Sequence, residues 1–150
     1  MNAREKILSL EQLPAWREQL REAGKRLVVT NGCFDLLHPG HISLLSQAKK
    51  TCDRLIVGLN SDRSVRQLKG ENRPVQSESS RAQVLASLAD VDLVILFDDA
   101  TPLAVIETLR PDVLIKGSDY ELKDVVGGDL VANWGGEVLL ADILPGHSTT

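Results

Sequence analysis

Apolar and polar positions alternate along this chain in two different rhythms. Short continuous apolar runs rich in Val, Ile and Leu lie at residues 27–30, 54–59, 91–97, 112–116 and 137–141. Each has the length of a strand buried on both of its faces. Between them, near 40–51, 79–88, 102–109 and 122–133, apolar residues recur at helical spacing. An amphipathic stretch over about 9–24 precedes the first run and sets Leu10, Leu13, Trp16 and Leu20 on one stripe. Strands alternating with helices predict a five-stranded parallel sheet with right-handed crossovers. The expected fold class is therefore α/β, a doubly wound, Rossmann-like sheet with helices on both faces. Such sheets bind ligands beyond the carboxyl ends of their strands.

Composition narrows the function without naming it. With 150 residues, 43% of them hydrophobic, one domain with a sizeable core is expected. A net charge of −4 argues against a nucleic-acid binder that relies on bulk positive charge. No apolar run approaches twenty residues and no leader pattern is present, so a cytoplasmic protein with no membrane partner is expected. Cys33 and Cys52 do not form a disulfide framework. Both are expected to be reduced, with Cys33 a small filler rather than a nucleophile.

The candidate chemistry sits in Asn31-Gly32-Cys33-Phe34-Asp35-Leu36-Leu37-His38-Pro39-Gly40-His41. This segment joins the first apolar run to a helical stretch beginning at Ile42. At such a junction, backbone N–H groups and the positive end of a helix dipole favour an anion. Pro39 suits a first helical position, and Gly40 lets a ligand approach the backbone closely. His38 and His41, one helical turn apart, are placed to reach one phosphate together. A zinc site using Cys33, His38 and His41, with Cys52 or His147, is the alternative. No Cys-x-x-Cys pair supports it.

The segment resembles the first signature of the cytidylyltransferase-like nucleotidyltransferases, G-x-F-D-x-x-H-x-G-H. Within that superfamily the chain resembles the adenylyltransferases that make ADP-heptose from D-glycero-β-D-manno-heptose 1-phosphate. Further motifs follow in the family's order: Asn60-Ser61-Asp62, Leu68-Lys69-Gly70 with Arg73-Pro74, Val91-Asp92, Lys116-Gly117-Ser118-Asp119-Tyr120 and Gly146-His147-Ser148-Thr149-Thr150. The similarity runs from about Leu27 to Thr150. It implies an N-terminal helical extension over 1–26 and a nucleotidyltransferase domain over 27–150. Chemistry on glycerol 3-phosphate with CTP, or on flavin mononucleotide with ATP, shares the signature and stays open. So does a nucleotide-binding module without turnover.

The resemblance implies nucleotidyl transfer, in which a sugar 1-phosphate attacks the α-phosphorus of ATP and pyrophosphate leaves. His38 and His41 would stabilise charge at the α-phosphate, and Mg²⁺ would enter on the ATP phosphates, without protein ligands. Asn31, Gly32, Cys33, Phe34, Asp35 and Gly40 would form the nucleotide-binding turn, with Cys33 and Phe34 giving amides and Asp35 organising it. Lys69, in a polar segment that reads as a mobile loop, would meet the reacting phosphates. Arg73 is either a phosphate contact or a loop-structure residue. Arg81 starts the next helix and is open to an ion pair, including one at a subunit contact.

Lys116, Gly117 and Asp119 would approach the nucleotide, Asp119 through a ribose hydroxyl, while core packing is the expected role of Tyr120. Ser148 and Thr149 would hold the β- and γ-phosphates and open a last helix; with the sequence stopping at Thr150, either an unusually early end or a shortened form is expected. Ala100 replaces the family's usual Asp, leaving Thr101 as the expected helix cap ahead of Pro102. The Met1 start and leading helix suggest a stand-alone adenylyltransferase, and a homodimer is in keeping with the family.

Overall fold

The Val- and Ile-rich runs form strands because their alternate side chains enter two separate apolar layers. The computed structural model describes residues 2–142. Its strands are β1 (Ile7–Leu8), β2 (Leu27–Gly32), β3 (Arg54–Asn60), β4 (Leu93–Phe97), β5 (Val113–Gly117) and β6 (Glu137–Ala141). They form one six-stranded sheet in the order β1-β4-β3-β2-β5-β6, and all pairings are parallel. The sheet has one strand more than the periodicity predicts. Ile7 and Leu8 pair with Val94 and Ile95 along the edge of β4, and a two-residue strand is too short to show a period.

The helices are α1 (Leu13–Glu22), α2 (Pro39–Thr51), α3 (Asp62–Lys69), α4 (Glu78–Ala86), α5 (Leu103–Leu109) and α6 (Gly128–Asn133). On one face, Leu44, Leu45 and Ala48 of α2 and Ala82 and Leu85 of α4 pack against Val28, Leu55, Val57 and Val94. On the other, Leu13 and Leu20 of α1, Val105, Ile106 and Leu109 of α5 and Val131 of α6 cover Leu27, Val29, Ile56 and Leu114. Residues 27, 28 and 29 thus face alternate layers, as a strand buried on both sides requires.

Several local expectations change. The leading helix begins at Leu13 after a short turn over Leu10–Gln12, and Leu10 falls outside the buried stripe at 46% exposed. The stretch 122–133 is broken at Gly127, whose φ of +85° ends helical geometry, so only Gly128–Asn133 is α-helical. Pro102, not Thr101, occupies the N-cap of α5, with no side-chain cap bond. The C-terminus of α5 is instead secured by Arg17, whose Nε and Nη2 donate to the carbonyls of Leu109 and Arg110. No helix in the described residues is long and apolar enough to cross a membrane.

Candidate functional site

Four strands end beside one another, and the loops that leave them build the site. The β2 end turns sharply at Phe34, which holds a positive φ of 44°. A non-glycine residue in this region is costly and is held by its surroundings. Here the ring is buried and packs 5.2 Å from the His41 ring.

The two histidines form a reciprocal cap at the start of α2. His38 is the N-cap, and its Nδ1 accepts from the Gly40 N–H at 3.0 Å. His41 Nδ1 accepts from the His38 N–H at 3.3 Å. The rings stack with centroids 3.9 Å apart. Because each Nδ1 accepts from the backbone, each neutral ring carries its proton on Nε2. That is the atom a phosphate oxygen would need as donor. Pro39 follows as the first helical residue, and Gly40 is buried beneath the turn.

A cleft of about 220 Å³ opens at the end of β2, and its lining reaches Cys33 but not His38 or His41. Asn31, Gly32 and Cys33 line one side, Asn60 and Lys69 another, and Lys116 and Tyr120 a third. Leu68, Pro102, Val125 and Val126 give it apolar walls, and Thr101 adds a hydroxyl. Gly117, the last residue of β5, is buried, and Asp119 just beyond it is exposed. Ser148 and Thr149, with His147, lie outside the described residues.

Lys69 is the exposed C-terminal residue of helix α3 rather than part of an irregular loop. The helical spacing of Val65 and Leu68 was masked by the polar residues around them. Gly70 then takes a φ of +100°, a conformation suited to glycine, and stops the helix. Lys116 donates from Nζ to the Asn31 carbonyl at 2.7 Å and lies 4.9 Å from the Tyr120 ring centroid. Burial lowers its ammonium to about 8, against the opposing pull of Asp119. Tyr120 both packs against the α1–α5 layer, as expected, and faces the cleft.

Asp35 organises the adjoining loop through its carboxylate. The Val75 and Gln76 N–H groups donate to it at 2.8 and 2.9 Å, and Arg73 lies 3.5 Å away. Burial acts to raise its pKa, but the Gln76 and Val75 amides and Arg73 overcome that and leave it below the usual carboxylate range. Arg73 contacts the loop carboxylate with its side chain still half exposed. Burial raises the Cys33 thiol, outweighing nearby Lys69 and Arg81, which suits a filler and not a nucleophile.

The ion pair open to Arg81 by sequence forms inside the chain, with Asp62 at 2.8 Å and the Arg81 side chain 0% exposed. This side chain bonds Cys33, Asn60, Gln76 and Asp62. Only its early place in a helix was visible beforehand. Among the described residues, no group of three or more His, Cys, Asp or Glu is arranged to hold a metal ion. The zinc alternative therefore has no such cluster at Cys33, His38 and His41.

The chain is 62% identical over 133 residues to the "Bifunctional protein HldE" of Paramagnetospirillum magneticum, covering 89% of this chain and 27% of that protein. It is 60% identical over 145 residues to the protein of that name from Caulobacter vibrioides, covering 97% of this chain and 30% of the relative. The chain thus spans under a third of the length of these relatives. Among solved structures, a lipopolysaccharide core biosynthesis protein from Thermoplasma volcanium matches with a TM-score of 0.64 at 29% identity, covering 81% of this chain and 98% of that one. The pantoate-β-alanine ligase of Francisella tularensis shares the fold, with a TM-score of 0.66 at 19% identity over 91% of this chain and 66% of its own. The cytidylyltransferase-like family model matches residues 29–135, from the middle of β2 to the turn before β6. The chain belongs to the cytidylyltransferase-like family.

Proposed function

We propose that this chain is an adenylyltransferase that joins ATP and D-glycero-β-D-manno-heptose 1-phosphate to give ADP-heptose and pyrophosphate. The observation that carries this reading is the paired histidine cap of α2, joined through the Cys33–Phe34 turn to a cleft lined by Cys33, Lys69 and Lys116. The heptose acceptor follows from the ordered motifs and accords with the extensive identity to HldE proteins. It also agrees with the lipopolysaccharide core biosynthesis protein found among the solved structures. The product would serve assembly of the lipopolysaccharide inner core, in the cytoplasm.

The chemistry needs no protein nucleophile. An oxygen of the sugar phosphate forms a bond to the α-phosphorus, and the bond from that phosphorus to the β-phosphate oxygen breaks. The electron pair leaves on pyrophosphate. His38 and His41 donate from Nε2 to the α-phosphate as its charge builds, which lowers the barrier without reorganisation. The amides of Cys33 and Phe34 hold phosphate oxygens at the turn, and Lys69 draws the two reactants together. Ser148 and Thr149 belong to the same reading as holders of the β- and γ-phosphates. Asp119 belongs to it as a ribose ligand.

Mg²⁺ supplied with ATP would neutralise the β- and γ-phosphates. The Asp35 carboxylate at the turn is already committed to two amides and Arg73. That favours a cation carried by the nucleotide. The cleft wall of Asn60 and Thr101 offers amide and hydroxyl partners to a hydroxyl-rich acceptor, and Lys116 faces the same cleft as a nucleotide contact. A homodimer is part of this reading, and sedimentation of the purified chain tests it.

The test crosses ATP, CTP and GTP with heptose 1-phosphate and glycerol 3-phosphate and measures pyrophosphate release. Release with ATP and heptose 1-phosphate alone is expected. A different productive pair would replace the substrate assignment. ATP binding without release from any pair would leave a nucleotide-binding module.

A further inference from the structure

The guanidinium of Arg81 lies behind the phosphate-binding turn and not in the cleft. Its Nη1 donates to the Cys33 and Asn60 carbonyls, each at 2.7 Å. Nη2 meets Asp62 Oδ1 at 2.8 Å, and Nε donates to the Gln76 carbonyl at 3.0 Å. One planar group thus ties together the ends of β2 and β3, the first residue of α3 and the loop leading into α4. A buried charge is tolerated only when so completely bonded.

Two consequences follow from the geometry. The C=O and N–H of a trans peptide point in opposite directions. Anchoring the Cys33 carbonyl therefore fixes the direction of the Phe34 N–H, one of the two amides assigned to phosphate. The bond to Asp62 holds the first turn of α3, and Lys69 is the last residue of that same helix. The loop after Lys69 is secured at its far end by the same side chain, through Gln76, and by Asp35. The chain between Gly70 and Arg73 is exposed.

We propose that Arg81 is a positioning residue for nucleotidyl transfer, holding the Cys33–Phe34 peptide and the Lys69 helix in one frame across the cleft. The role rests on the adenylyltransferase reading. Lysine cannot replace arginine here, because a single ammonium does not reproduce the planar fork that reaches four acceptors.

The experiment is a double-mutant cycle on the full chain, with Arg81→Lys, Lys69→Ala and the pair, reading kcat and KM separately. Arg81→Lys is expected to lower kcat on the order of 10²-fold, the scale for misplaced reacting groups. Adding Lys69→Ala to it should then cost far less than Lys69→Ala alone, because the two act through one frame. A residue that only stabilises the fold would lower Tm while kcat stays unchanged, or give additive losses. Either result overturns the proposal. If Arg81→Lys fails to fold, Asp62→Asn replaces it in the cycle, with the same expectation of coupling to Lys69 and additivity as the contrary result. If the wild type releases no pyrophosphate with heptose 1-phosphate, the substrate reading fails. The cycle is then read in dissociation constants for MgATP, where coupled losses support the frame and additive ones contradict it.

Discussion

The ring of Phe34 fills the space that a side chain on Gly32 would need, its Cε2 3.0 Å from where that Cβ would lie. Gly32 ends β2, and Phe34 in turn packs on His41. A methyl at position 32 would therefore push the Phe34 ring and, through it, the histidine pair. Gly32→Ala should cost about 1–3 kcal/mol of stability, the usual scale for overpacking. Activity should fall further than that loss explains. Thermal unfolding alongside kcat checks this, and a variant of wild-type kcat would detach Gly32 from the site.

Removing His41 should lower turnover by roughly 10²–10³, the loss typical of one donor to developing charge. The KM for ATP should change much less, because the donor acts mainly in the transition state. Steady-state kinetics of His41→Ala decide the matter. More than half of wild-type kcat would remove this ring from the reaction.

Much of this site could be read from residue order, and the part that could not has a physical reason. Continuous apolar runs exposed the central strands because both faces of the sheet are covered, as the split of Leu27, Val28 and Val29 between two layers illustrates. The histidine pair was legible because its elements are local: a helix start, one turn and a three-residue spacing. The bonds of Arg81 reach back to Cys33, 48 positions earlier, and no periodicity reports a contact at that range. The strand at Ile7–Leu8 exists only through its pairing with β4, so its two residues carried no pattern of their own. Thr101 looked like a cap by residue type, but the helix starts one residue later than that reading required.

Lys116 gives the site a pH signature with two opposite signs. Its folded-state pKa, about 8, lies below the ordinary 10.5. Below pH about 8 both folded and unfolded chains hold the proton. Between about 8 and 10.5 the folded chain has released it and the unfolded chain has not. The unfolded state binds more protons there, so this lysine makes stability rise with pH across that window. Phosphate binding moves the other way, since the neutral amine no longer attracts an anion. The KM for ATP should rise above pH about 8 in the wild type and lose that component in Lys116→Gln. Identical profiles would place Lys116 outside phosphate recognition.

Lys69 is exposed at the end of α3, so its removal should leave the fold intact. Lys69→Ala should keep the unfolding free energy within about 0.5 kcal/mol of wild type while lowering kcat. Unchanged kinetics would reduce it to a solvated helix terminus.

In the proposed reaction the oxygen of a sugar phosphate attacks the α-phosphorus of ATP directly. Direct attack is tested by giving the enzyme MgATP and heptose 1-phosphate whose phosphate carries heavy oxygen, then weighing both products. All label in ADP-heptose, with unlabelled pyrophosphate, is the expected result. Label in the pyrophosphate, or ATP consumed with no ADP-sugar formed, would contradict it.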